Sequence, residues 1–116
     1  MNHGLSIHVV DITRASAARG MKVEVWRIEP ARPLLGEGTV EASGLVRHPA
    51  FGERLVPGLY EAVFFVADYY RAVGTPVPDP PFLDDVVYRF GIADPDQHYH
   101  LPFKVTPWGF SLFRGR

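Results

Sequence analysis

The chain contains no cysteine. That absence excludes disulfide staples, thiolate metal sites and a cysteine nucleophile. Net charge is nearly absent as well, −1 at pH 7 from 12 basic and 13 acidic side chains. A chain so balanced is a poor match for a bulk electrostatic partner, so neither nucleic acid nor a membrane surface is expected. No apolar run approaches the roughly 20 residues that a membrane-spanning helix needs. The opening MNHGLSIHVVD lacks the basic segment and long apolar core of a secretory signal, so the default expectation is cytoplasmic. There is no Gly-x-Ser-x-Gly elbow, no phosphate loop, no dinucleotide fingerprint and no internal repeat.

What remains is ordinary globular material. Hydrophobic residues make up 47 % of 116, enough to build a core without covalent staples, and no composition shift marks a boundary within residues 1–116. A single domain is therefore expected. Period-two alternation dominates. Leu5, Ile7 and Val9 alternate with Ser6, His8 and Val10, and Val23 and Val25 alternate with Lys22, Glu24 and Trp26. Strands are expected at Leu5–Ile12, Met21–Ile28, Leu34–Ala42, Gly58–Val66, Asp85–Ile92, His98–Val105 and Gly109–Phe113.

One helix is expected, capped by Asp68, carrying Tyr69, Tyr70 and Val73 on its apolar side and stopped by Gly74. The following Pro76–Pro81 stretch holds four prolines and can be neither helix nor central strand. Short strands with frequent turn signals indicate an all-β fold, a two-sheet β-sandwich with one short helix.

Polar groups concentrate at two places in these apolar strands. His8 is one; His98-Tyr99-His100 is the other. Residues two apart on a strand share a face, so His98 and His100 point the same way. Imidazole titrates near neutrality, and a pair on a rigid strand can orient water, take its proton and return it. A lone strand histidine is more often structural, and His-x-His is also half of a zinc site with His8 as a third ligand. Spacing does not choose among these readings. His3 and His48 read as solvated. The basic C-terminus, Phe113-Arg114-Gly115-Arg116, is solvated charge or, held near the histidines, a site for an anionic heterocycle or an oxyanion.

Three stretches together resemble the 5-hydroxyisourate hydrolases, the enzyme branch of the transthyretin-like family. Leu5-Ser6-Ile7-His8-Val9-Val10-Asp11 is similar to their first strand. Gly58-Leu59-Tyr60 and Ala67-Asp68-Tyr69-Tyr70 match the strand that leads to their helix. The most specific stretch is His98-Tyr99-His100-Leu101-Pro102-Phe103, followed by Thr106-Pro107-Trp108-Gly109-Phe110-Ser111-Leu112-Phe113-Arg114-Gly115-Arg116. Hormone-binding transthyretins lack the His-Tyr-His and Arg-Gly elements, which sets this chain with the enzymes.

The resemblance implies a transthyretin-like sandwich assembled as a homotetramer, with its sites in the central channel. It implies hydrolytic opening of the six-membered ring of a small oxidised purine, 5-hydroxyisourate, in urate breakdown. It makes His8, His100 and Arg114 the catalytic set, places His98 beside them, and calls for no metal and no organic cofactor. Two departures bear on substrate recognition. Leu45 stands where the family has a turn arginine, with Arg47 two residues on as the nearest replacement. Phe113 and Arg116 stand where the family has tyrosine and serine. These changes suggest an N-methylated hydroxyisourate, such as one from methylxanthine breakdown. The rival from another class is a non-catalytic transthyretin-like binding protein.

Overall fold

The computed structural model describes residues 3–29 and 31–115. Alternation becomes structure in β1 (Gly4–Asp11), where Leu5, Ile7 and Val9 are buried and Ser6, His8 and Val10 are only partly so. β2 (Ser16–Ala17) folds back on its end. β3 (Lys22–Arg27), β4 (Leu34–Thr39), β5 (Gly58–Phe65), α1 (Val66–Ala72), β6 (Asp85–Ile92), β7 (His98–Thr106) and β8 (Gly109–Leu112) follow. The strands form two four-stranded sheets, β2-β1-β7-β8 and β4-β3-β5-β6. Every pairing is antiparallel except β1 with β7, which run parallel from Gly4↔His98 to Asp11↔Val105.

That parallel pair is what positions the histidines. Parallel neighbours need a long crossover between them, and here the crossover is the entire second sheet. The inner faces meet in a core of Ile7, Val9, Leu101, Phe103 and Val105 against Val23, Val25, Ala62 and Phe64. Phe64 and Phe103 stack across the sheets with ring centroids 4.1 Å apart. With β7's odd-numbered residues committed to this core, His98 and His100 are turned outward. The sequence reading of a transthyretin-like all-β sandwich with one helix is what the structure has.

The details depart from expectation in four places. Asp68 does not cap α1. β5 runs straight into the helix, Phe65 takes the N-cap position without a side-chain bond, and Asp68 lies within the first turn, paired with Arg71 at 3.3 Å. β4 ends at Thr39 instead of Ala42, because the chain turns back at Glu41–Gly44. The two-residue β2 and a 3-10 turn at Pro49–Gly52 carry too little periodicity to be read from sequence. His48 is not merely solvated. Its Nδ1 accepts the Ala50 N–H at 3.1 Å as the N-cap of that turn, and its ring packs against Phe51. Gly74 does end the helix, with φ +83, a conformation in which a side chain would be strained.

Asp11, at the end of β1, fixes the helix to the sheet. It is fully buried, and the Tyr69 and Tyr70 hydroxyls each donate to it at 2.8 Å. Burial first, and the bond to Asp11 second, push the Tyr69 phenol up to about 12 and raise Tyr70 as well. A phenol whose folded pKa is raised favours the folded state fully below its unfolded value of about 10 and loses that contribution as pH rises toward the folded one. The expected outcome is a denaturation midpoint that holds steady up to about pH 10 and falls between about pH 10 and 12. Urea titrations at a series of alkaline pH values check this, and replacing both tyrosines with phenylalanine should flatten the fall.

Candidate active site

The outer face of β1 and β7 gathers four polar side chains in an area only a few residues across. Register pairs Ser6 with His100 and Gly4 with His98, which brings Ser6 between the two imidazoles. Its Oγ lies 2.8 Å from His98 Nε2 and 2.6 Å from His100 Nδ1. His98 Nδ1 donates to the His3 carbonyl at 2.9 Å. His8, two residues beyond Ser6 on the same face, is diagonal to His100.

His8 is held from the other side by the turn that follows β4. Its Nε2 donates to the Ser43 carbonyl at 3.0 Å, leaving Nδ1 as the free lone pair of the neutral ring. Leu45 forms an antiparallel bridge with His8, flanked by bonds from Val9 N–H to Gly44 O at 2.8 Å and from Val46 N–H to Ile7 O at 3.2 Å. Gly44 is required on two counts. Its φ is +88, and a Cβ there would fall 2.4 Å from His8 Nε2. Only a glycine turn lets the loop close over the imidazole.

His100 is covered on its far side by the C-terminal segment. Gly115 N–H donates to the His100 carbonyl at 2.7 Å in a second isolated bridge. A Cβ on Gly115 would come within 3.0 Å of His100 Cδ2, so the backbone packs directly on the ring. Burial first, then the nearby His8 and His98, lower the His100 pKa below its ordinary 6.5. The imidazole is therefore neutral at pH 7, the form a base requires.

Arg114 is not among the imidazoles. Strand alternation that turns Gly115 toward His100 turns its neighbour to the opposite side of β7. There the guanidinium stacks on the Tyr99 ring, 4.0 Å from its centroid, and Nη2 donates to Gln97 Oε1 at 3.1 Å and to the His98 carbonyl at 3.2 Å. A cleft of about 390 Å³ opens among Gln97, His98, Arg114 and Gly115. Arg47 is exposed and donates to Glu41 at 3.0 Å. Phe113 is exposed, and Arg116 lies outside the described residues. Among the described residues no three histidine or carboxylate side chains are disposed to hold a metal ion.

The structure thus brings His8, His98 and His100, singled out in the sequence, onto one face together with Ser6, which was not singled out and which joins two of them. Ser6 stands in the first motif, yet its partners lie 92 and 94 residues away, and nothing in the sequence gives the β1–β7 register.

Two packed sheets, one of which carries an imidazole cluster on its outer face, define a transthyretin-like sandwich with a site suited to acid–base chemistry. The profile of the HIUase/Transthyretin family matches residues 5–115, and the chain belongs to that family. It is similar to the 5-hydroxyisourate hydrolase of Pseudomonas aeruginosa, 41 % identical over 113 residues that cover 96 % of this chain and 90 % of the relative. Among solved structures, the 5-hydroxyisourate hydrolase of Klebsiella pneumoniae superposes with a TM-score of 0.81 at 26 % identity, covering 98 % of this chain and 99 % of that one. An (S)-allantoin synthase superposes with a TM-score of 0.90 at 37 % identity over 99 % of this chain, which spans 44 % of that longer one.

Proposed function

We propose that this protein is a hydrolase that opens the six-membered ring of 5-hydroxyisourate at a cyclic amide bond, in urate degradation. The observation that carries this reading is His100, a neutral imidazole with its Nδ1 engaged by Ser6, facing His8 across the outer surface of β1 and β7. Relatives at about 40 % identity over nearly the whole chain carry the name of that activity. The chemistry needs little more. His100 Nε2 takes a proton from water as the water oxygen attacks the ring carbonyl carbon. The C–N bond of the ring then breaks, and the proton passes to the departing nitrogen, leaving an opened ring and a carboxylic acid whose remaining proton is lost to solvent. His8 Nδ1 accepts from the substrate hydroxyl or the attacking water and fixes its approach.

The other expected site residues take different parts. Arg114 serves the site by pinning the tail that covers His100, because its guanidinium is held by Tyr99, Gln97 and the His98 carbonyl. Arg47, whose present partner Glu41 is an exposed carboxylate, is the cation that exchanges onto the substrate. Leu45 and Phe113 supply the apolar side chains of the site. Assembly as a homotetramer completes a channel around this face. In its support, Trp108, Phe110 and Phe113 are exposed on and beside the free edge strand β8, and Phe82 and Val87 by the free edge strand β6.

The finer substrate is an N-methylated hydroxyisourate. Leu45 beside His8 offers no donor, and a lost donor to a buried ring group costs about 1–3 kcal/mol. A ring methyl against the same side chain contributes about 0.8 kcal/mol of burial. The test compares kcat/KM for methylated and unmethylated hydroxyisourate in the native chain and in Leu45→Arg. The native chain is expected to favour the methylated ring by about tenfold, and Leu45→Arg to reverse the order. A native preference for the unmethylated ring would leave the hydrolase reading standing and remove the methylated one.

A further inference from the structure

Proton placement on the histidine face is fixed by one group that can only accept. The His3 carbonyl lies 2.9 Å from His98 Nδ1, so that nitrogen carries a hydrogen. A neutral His98 then presents only a lone pair at Nε2, and Ser6 must donate its single hydroxyl proton there across 2.8 Å. Ser6 Oγ is left to accept, and what it accepts is the N–H of His100 Nδ1 at 2.6 Å. With His98 neutral, each later donor and acceptor follows from the first. The chain ends with His100 protonated at Nδ1 and bare at Nε2.

A proton arriving at His100 Nε2 has a route onward. The Nδ1 proton of His100 passes to Ser6 Oγ as the hydroxyl proton of Ser6 passes to His98 Nε2. Two N–H or O–H bonds break and two form. Ser6 ends as it began, His98 is an imidazolium, and His100 is neutral with its hydrogen now on Nε2. We propose that Ser6 and His98 form a proton wire that makes His100 a base in one state and an acid in the other, with the positive charge held on His98 against the His3 carbonyl.

The surroundings suit a charge that is transient. Among the described residues no carboxylate is hydrogen-bonded to either imidazole. His8 on β1 faces the pair, whereas the Arg114 guanidinium lies on the other side of β7, its Nη2 3.2 Å from the His98 backbone carbonyl. The His3 carbonyl accepts from His98 Nδ1 in either state, and no hydrogen-bonded carboxylate is at hand to hold the charge there. The charge can be borrowed for one half of a reaction and is returned in the other. Ser6 and His98 are then positioning residues. They act on His100 and need not touch the substrate.

The kinetic half of this inference rests on the hydrolase reading; the tautomer half does not. Imidazole ¹⁵N NMR of the substrate-free native chain, at a pH above the histidine titrations, reads the tautomer directly. The expected spectrum has a protonated Nδ1 and an unprotonated Nε2 at His100. Ser6→Ala should abolish that bias, lower kcat at least about tenfold with little change in KM, and shift the acid limb of the pH–rate profile. Ser6→Thr keeps the hydroxyl and should restore all three. A native His100 protonated at Nε2 would overturn the wire, and so would a Ser6→Ala protein that keeps the native tautomer, rate and pH profile. If Ser6→Ala does not fold, the native spectrum still decides. The expected tautomer in a protein that does not hydrolyse hydroxyisourate would uphold the wire and sink the hydrolase reading instead.

Discussion

His100→Ala is expected to lower kcat/KM for hydroxyisourate about a hundredfold or more while the sandwich remains folded, the usual cost of losing a positioned acid or base. The fold should tolerate the change because the ring lies on the outer face of β7, outside the aromatic and aliphatic core. His8→Ala should cost a similar factor for a different reason. It removes the imidazole that the proposed mechanism uses to orient water or substrate, and it leaves the turn at Ser43 without its donor. The two losses should not multiply in the double variant, since in the proposed mechanism both groups serve one transition state. Far-ultraviolet circular dichroism and unfolding midpoints separate a chemical loss from a structural one. A His100→Ala protein with undiminished turnover would return the histidines to a structural role.

The largest effect on stability is expected at Asp11. Its carboxyl oxygens accept from two tyrosines that α1 turns inward side by side, with the ring centroids of Tyr69 and Tyr70 5.0 Å apart. Asp11→Ala leaves the Tyr69 hydroxyl without that acceptor, and Tyr70 with only the Val105 carbonyl at 3.2 Å. A buried hydroxyl stripped of its partner costs about 1–3 kcal/mol, so the alanine variant should lose about 3 kcal/mol or more once the small void is included. Asp11→Asn retains one acceptor oxygen and should lose about half as much. Urea unfolding at neutral pH measures both. A loss under about 1 kcal/mol for Asp11→Ala would show that helix docking depends on apolar burial and not on this clamp.

These two expectations also mark where the sequence could be read and where it could not. Local periodicity reaches as far as a strand and its faces. That His98 and His100 share a face follows from spacing alone, and β6 begins and ends at Asp85 and Ile92 as alternation indicates. Period says nothing of which strand lies beside which. β1 and β7 are separated by the whole second sheet, so the Ser6 link between His98 and His100 exists only after the chain has closed.

The same limit hid Asp11. It is the last letter of the first motif, and its two donors come from a helix 58 and 59 residues later. The helix cap differs from expectation for a local reason. Asp68 is a good cap residue, but the strand geometry of β5 delivers the chain into the helix at Val66, with Phe65 at the cap, and Asp68 falls three residues past it. Arg114 shows a further limit. The family resemblance sets it with the histidines, whereas within one chain alternation in an extended tail sends adjacent side chains to opposite faces, and Gly115 is the residue that reaches His100.

The central claim, that this histidine face hydrolyses the hydroxyisourate ring, is tested most directly by the decay of freshly generated 5-hydroxyisourate, followed in the ultraviolet with and without the purified chain. The predicted result is a decay well above the spontaneous rate, proportional to protein concentration and reduced nearly to the spontaneous rate in His100→Ala. Decay at the spontaneous rate with the native chain, for both the methylated and the unmethylated ring, would contradict the account.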